Sequence, residues 1–273
     1  MLRNKSAWLD RKSGLRYRSM MFGFIRRAST DGLDIIDRAL ERAKAPVRFW
    51  WRDDDAGAHS AALERLLSLS QQNRAPVSVA VIPARMETRM IEAMRGRDFD
   101  VLVHGYAHNN QAGEGQPKCE FPLSRPLEDM RADLRKALSL LREALPQNTI
   151  PVFVPPWNRF PDKLLPLLKE CGYVGLSKAS TMKPDPAARE NGLRQFDGHF
   201  NVVAWKDGPH LADMPLVSKK LAKQIRAGAQ GPFSIVTHHR DHDEAIWAYC
   251  EKLWKLLGTH RNAHIVRARE IFI

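Results

Sequence analysis

Two short stretches of this chain carry side chains that could do chemistry together. In Val101-Leu102-Val103-His104-Gly105-Tyr106-Ala107-His108, three apolar residues run into a His, a Gly and a second His four places on. A buried strand that ends in a helix-like bend after Gly105 would bring both imidazoles to one point. Imidazole is the commonest protein ligand for Zn²⁺ and similar metals. Upstream, Trp51-Arg52-Asp53-Asp54-Asp55-Ala56-Gly57 also follows an apolar run, Val47 to Trp51. Three adjacent aspartates repel one another unless cations or backbone N–H groups meet them. A turn rich in Asp, or a His pair in a loop, is common by itself. Two such motifs at the ends of two strands point instead to one metal held by carboxylate and imidazole. Such a site keeps coordination positions open for water and substrate.

The elements that must position them follow from the apolar pattern. Helices are predicted over Asp31 to Ala45, Ala61 to Gln72, Met86 to Gly96, Pro126 to Leu145, Lys163 to Cys171, Val217 to Ala227 and Asp243 to Leu257. Strands are predicted at Val47–Trp51, Val77–Ile82, Phe99–Val103, Ile150–Val154, Tyr173–Leu176, Phe233–Thr237 and Ala263–Val266. Leu193–Phe196 and Asn201–Trp205 are short strand candidates with His199 between them. Asn109 to Arg125 and Thr181 to Asn191 read as loops, the first long enough to wall a groove. The Met stripe Met86, Met90, Met94 is assigned to core filling. Strand alternating with helix means parallel strands with helices outside, and such folds build their sites at the carboxyl ends of strands. Pro155-Pro156-Trp157 follows the fourth strand, and His238-His239 follows the strand ending at Thr237. Every candidate motif therefore falls on one face.

Length and composition fit a single α/β domain. The chain has 273 residues, enough for one large core, and 44% are hydrophobic, which is ordinary for a globular protein and argues against disorder. Cys119, Cys171 and Cys250 are too few and too scattered for a disulfide framework or a thiolate zinc site. With no apolar run long enough to span a bilayer and no clear signal peptide, a cytoplasmic location is expected. The net charge of +12 is uneven. Residues 1–30 hold eight Lys or Arg against Asp10, which is +7, leaving +5 for residues 31–273. We read 1–30 as a basic, solvated extension capable of weak contact with an anionic surface, and 31–273 as the barrel domain. No nucleic-acid partner is expected, because no recognition motif or aromatic stacking stripe accompanies the charge.

The order of these motifs resembles the polysaccharide deacetylase family, carbohydrate esterase family 4 and its relatives. The resemblance spans Val47 to the C-terminus. It implies an α/β fold, a distorted (β/α) barrel of about seven parallel strands. It also implies a metal-dependent hydrolase that removes N-acetyl groups from an amino-sugar polysaccharide or glycoconjugate, with one divalent metal, zinc being expected. A catalytically silent carbohydrate-binding or regulatory protein on the same fold is the alternative. Carried over residue by residue, Asp55, His104 and His108 are the implied metal ligands and Asp54 the implied base. Asp53-Asp54 is the other register. Pro156 and Trp157 belong to the turn whose backbone N–H polarises the amide carbonyl. His238 is the implied general acid, with His239 the alternative. Val154 stands where the family commonly has an Arg that braces the catalytic Asp; Arg52 and Arg159 are the available substitutes. Trp205 and Asp207 only weakly echo a late family motif and receive no role. His199, His210, His242, His260 and His264 are assigned to the surface or the scaffold.

Overall fold

Ten residues that begin apolar and end in aspartates form the central strand, β1 (Val47–Ala56). The computed structural model describes residues 30–179 and 186–273. The predicted basic extension lies, but for its last residue, outside the described residues. In chain order the elements are α1 (Leu33–Glu41), β1, α2 (Ala61–Gln72), β2 (Val77–Val81), α3 (Thr88–Met94), β3 (Asp100–His104), α4 (Leu127–Ala144), β4 (Thr149–Val154), α5 (Leu165–Glu170), β5 (Gly175–Leu176), α6 (Pro186–Glu190), β6 (Arg194–Gln195), β7 (Gly198–Asn201), β8 (Val203–Ala204), β9 (His210–Leu211), α7 (Met214–Arg226), β10 (Phe233–Thr237), α8 (Glu244–Thr259), β11 (Ala263–Ile265) and α9 (Ala268–Phe272).

The strands pair in the order β6-β5-β4-β3-β2-β1-β10-β7, with β11 also on β1. Every pairing in this sheet is parallel. The sheet curls, and a parallel bridge from Ala179 to Gly198 links its two margins. This is the expected distorted (β/α) barrel. β8 and β9 form a small antiparallel pair beside it.

Alternation along β1 separates two cores. Trp50 faces the barrel interior with Ala80, Leu102, Val152, Val154 and Phe272. Phe49 and Trp51 face the helix layer, where Trp51 stacks on Trp254 of α8 at 4.3 Å. Trp50 meets Phe272 edge-on at 5.6 Å, so α9 plugs the interior. Trp50→Ala would cost about 3–5 kcal/mol, as truncation of a fully buried aromatic does. The helices dock by the same logic. In α2, Leu63, Leu66, Leu67 and Ser70 repeat at helical spacing and are buried, and Ser60 caps the first turn by accepting from Leu63 N–H. Asp213 and Asp243 cap α7 and α8 in the same way. Met90 and Met94 are buried core, as predicted.

Several expectations need correction. β1 runs through the aspartates instead of ending at Trp51, because each carboxylate finds a cationic or hydrogen-bonding partner. β5 keeps only Gly175–Leu176: Tyr173 is withdrawn to donate its hydroxyl hydrogen to Leu134 O. Part of the loop predicted at Thr181–Asn191 is the short helix α6; residues 180–185 lie outside the described residues. His199 sits on β7 rather than between strands. α9 was not predicted, its apolar residues being too few to show a helical period.

Candidate functional site

The site forms where the carboxyl ends of β1, β3, β4 and β10 converge. On β1, alternation puts Arg52 and Asp54 on the interior face and Asp53 on the helix side. The β1–β2 register shifts between Asp53 and Ala56, and Asp55 takes φ 71°. A bulge of this kind re-aims one side chain, so Asp55 turns toward the end of β3. There His104 Nε2 lies 3.0 Å and His108 Nε2 3.2 Å from Asp55 Oδ1. His108 also has positive φ, at 57°, and so does Trp157, at 53°. Non-Gly residues in this region are uncommon and strained, and they cluster at functional sites.

Asp55, His104 and His108 each offer a ligand atom, all within 4.8 Å of one another, and could hold a metal ion. The donor chemistry fits. His104 Nδ1 bonds Val154 O at 2.9 Å, which presents Nε2 to the site. Burial opposes ionisation of Asp55, but hydrogen bonds from His104 and His108 outweigh it and hold its carboxyl well below the usual range. Burial also opposes charge on His104, and the facing carboxylates of Asp55 and Asp54 outweigh that and raise it. One anionic oxygen between two imidazole nitrogens is a suitable nest for a divalent cation.

Asp54 is buried and paired with Arg52, whose Nε and Nη2 reach its two oxygens at 2.9 and 3.0 Å. Arg52 is itself fixed by Ser177, at 2.6 Å to Oγ and 3.1 Å to O. Of the two substitutes for the missing family Arg, Arg52 is the one that braces Asp54. Arg159 donates instead to Lys118 O. Because β1 continues to Ala56, its period of two sets residues 52 and 54 side by side; with the strand expected to end at Trp51, the sequence leaves Arg52 and Arg159 as open alternatives.

His238 Nε2 lies 3.8 Å from Asp54 Oδ2, while its Nδ1 has no hydrogen-bond partner among the described residues. His239 points the other way. Its ring Nδ1 bonds Asp53 Oδ1 and its backbone N–H bonds Asp53 Oδ2 at 3.0 Å, all fully buried. Thr237 Oγ1 donates to the same carboxylate at 2.6 Å. Burial would raise the Asp53 carboxyl, but His239 and Thr237, with the charge of His242, hold it low. The structure thus brings Asp54, Asp55, His104, His108 and His238 together and leaves Asp53 and His239 as a separate buried couple.

The turn after β4 follows the Pro pair. Asn158 N–H bonds Pro155 O and Arg159 N–H bonds Pro156 O, so Trp157 N–H lies outside the turn's own bonding. The Trp157 ring packs on His108, with centroids 4.4 Å apart.

Three residues were missed as parts of this site. Glu120, from the long loop, is buried and accepts the N–H groups of Tyr106, Ala107 and His108 at 3.2, 2.7 and 2.9 Å. Burial pushes its carboxyl up although these bonds oppose it. A side chain on Gly105 would collide with Glu120 Oε2, so this loop closure requires glycine there, at φ 63°. Trp205, half exposed, stands edge-on to His238 at 4.8 Å. His242 Nε2 accepts His238 N–H at 3.3 Å. Nothing in the local sequence distinguishes Glu120 or His242 from other loop residues; only the closed fold reveals their partners.

Fold and site define a class: a distorted (β/α) barrel with an Asp-His-His group at the carboxyl ends of its strands. The family model for polysaccharide deacetylase matches residues 51–176, which include every residue discussed above from Trp51 to Trp157. That part of the chain carries the polysaccharide deacetylase family match, and the solved structures share its fold. Solved structures of the same fold include a protein from Mycobacterium smegmatis named as a polysaccharide deacetylase, at 13% identity and TM-score 0.62, covering 84% of this chain and 90% of that one. A family 4 acetyl xylan esterase from Clostridium thermocellum, in complex with cobalt, matches at 12% identity and TM-score 0.51, over 82% of this chain and 90% of that one. A pseudoenzyme of carbohydrate esterase family 4 from Bacillus anthracis matches at 13% and 0.54, over 85% and 67%. No protein of curated function matches the sequence. No helix among the described residues is long and apolar enough to cross a membrane.

Proposed function

We propose that this protein is a metal-dependent hydrolase that removes N-acetyl groups from an amino-sugar polysaccharide or glycoconjugate, with zinc as its ion. The observation that supports the proposal is the Asp55-His104-His108 group, with Asp54 and His238 meeting at 3.8 Å and the Trp157 ring packed on His108. When bound, the ion supplies Lewis-acid activation to the water and to the amide carbonyl. Asp54, held in place by Arg52, takes the proton from the attacking water. The Trp157 N–H donates to the carbonyl oxygen as charge develops on it, the kind of fixed donor that is usually a large catalytic contribution. His238 delivers a proton to the departing nitrogen, so that amide and water become amine and acetate.

The alternative of a silent protein on this fold keeps its place, since one structural neighbour is described as a pseudoenzyme. Against it, no polar group that the mechanism needs is missing here. The test is acetate release from N-acetylated amino-sugar oligomers by zinc-loaded protein, with Asp54→Asn as control. Asp54→Asn should keep the metal and lower kcat by several orders of magnitude. Full metal occupancy without acetate from any such sugar would favour the silent reading.

A further inference from the structure

Four exposed cations surround the candidate site, one from each of the segments that follow β2, β3, β4 and β10. Arg85 Nη2 donates to His108 O at 3.2 Å, and Arg240 Nη1 to Asp55 O at 3.4 Å. Two of the three candidate metal ligands therefore carry a guanidinium on their own backbone carbonyl. Lys118 Nζ stands over the Trp157 ring at 6.0 Å, and Arg159 is tied to Lys118 O at 3.1 Å. All four side chains are exposed. Among the described residues none of the four is ion-paired; what sets them apart is that they ring one site, two of them on the carbonyls of candidate metal ligands. Glu87, Glu114, Asp162 and Asp241 lie in the same four segments, and among the described residues none of them is ion-paired with any of the four cations; Asp162 holds Lys178 instead. Gly57 allows the arrangement: a Cβ there would lie 2.9 Å from Arg85 Cβ.

A neutral sugar offers such a mouth only uncharged acceptors, whereas an anion would give charge-assisted hydrogen bonds about twice as strong. Guanidinium groups bound only to main-chain carbonyls keep N–H donors directed to solvent, and these suit carboxylate or phosphate oxygens. We infer that the substrate is an anionic acetamido sugar, one that carries a phosphate or carboxylate next to the residue being deacetylated. This inference rests on the hydrolase reading for the acetamido group and adds the charge of what bears it.

The test titrates zinc-loaded protein with N-acetylglucosamine 1-phosphate, N-acetylmuramic acid and neutral N-acetylglucosamine at low and high salt, and follows acetate release in parallel. At low salt at least one anionic sugar should bind about 10-fold more tightly than the neutral one, with the advantage shrinking as salt screens it. Which of the two gains more separates phosphate from carboxylate as the recognised group. Arg85→Gln with Arg240→Gln should remove most of the advantage of the anionic sugar over the neutral one; Arg85→Lys should retain it. Equal or undetectable binding of both anionic sugars, or an advantage insensitive to salt and to the double variant, overturns the inference. Acetate from neutral sugars without anionic preference removes this inference alone. Salt-sensitive, arginine-dependent binding without acetate removes the hydrolase reading and leaves the inference standing.

Discussion

His104 and His108 make the residue-scale claim most directly testable. Each supplies one of the nitrogens facing Asp55, and neither is needed to fill the hydrophobic core. His104→Ala and His108→Ala should each abolish tight zinc binding while the far-ultraviolet circular dichroism stays native; stoichiometric zinc in the double variant, by elemental analysis, contradicts the assignment. Asp53 behaves differently from its neighbours. It gathers Thr237, the His239 ring and the His239 N–H into one buried cluster, so Asp53→Ala leaves several buried polar groups unpaired. The loss in urea denaturation should be about 3–5 kcal/mol, the range for breaking a buried charge pair. His242 gives a pH effect of definite sign. Burial lowers its pKa from the ordinary 6.5 to about 4, against the pull of Asp53 and Asp243 and with the help of His238 and His239. Above the unfolded value both states are neutral. As the pH falls from 6.5 toward 4 the unfolded chain binds a proton that the folded chain refuses, so stability declines through that window. With partial exposure discounted, His242 accounts for about 2 kcal/mol of the decline. His242→Gln should be less acid-sensitive than the parent by that amount, measured by urea denaturation near neutrality and near pH 4; an identical acid profile would refute it.

At the scale of elements, the long loop between β3 and α4 does more than wall a groove. Its Glu120 holds three consecutive N–H groups of the turn carrying His108, fixing that imidazole from behind. Glu120→Gln keeps the volume but exchanges one acceptor oxygen for a donor. Zinc affinity should fall about 10-fold to 100-fold, as for loss of a supporting partner behind a metal ligand, measured by chelator competition; unchanged affinity would show that the loop merely covers the turn. The contrast between Glu120 and Arg52 explains what could be read beforehand. α2, α4, β10 and the layered β/α order were legible because hydrophobic period and caps are local. The pairing of Arg52 with Asp54 needed β1 to run past Trp51, which the aspartates hid, so Arg52 and Arg159 stayed alternatives. The choice of Asp55 as the group facing the His pair came from a resemblance, since alternation alone would have sent residues 53 and 55 to the same face; the β1 bulge reverses that. Glu120, Trp205 and His242 meet the site through contacts far apart in sequence, and no local pattern encodes them. α9 is similar: it is apolar and short, and it becomes a helix because Phe272 completes a barrel interior built by distant strands.

The whole molecule divides its charge between two places, and the described fold shows where the division can be cut. Residues 1–30 carry +7 of the total +12. The first anchored residue among the described residues is Asp31. Its Oδ1 accepts Leu33 N–H at 3.2 Å and its Oδ2 reaches Lys252 Nζ of α8 at 3.3 Å. Gly32 follows in such close contact with α7 that a Cβ would lie 2.9 Å from Met214 O. From that point α1 is docked, with Ile36, Ala39 and Leu40 buried. A chain beginning at Asp31 should therefore melt as the full chain does and bind the same amount of zinc. Beginning instead at Asp34 removes the Asp31 bonds to Leu33 N–H and Lys252 and the close contact of Gly32 with α7, and should lower the melting temperature. Charge separates in the same experiment. The chain from Asp31 should elute from a polyanionic resin at lower salt, since surface attraction grows with net charge, yet it should discriminate anionic from neutral sugars as the full chain does, because Arg85, Lys118, Arg159 and Arg240 remain. If sugar discrimination disappears with the first thirty residues, the basic extension and not the rim of the site recognises the anion. If the thermal transition disappears, part of that extension belongs to the core.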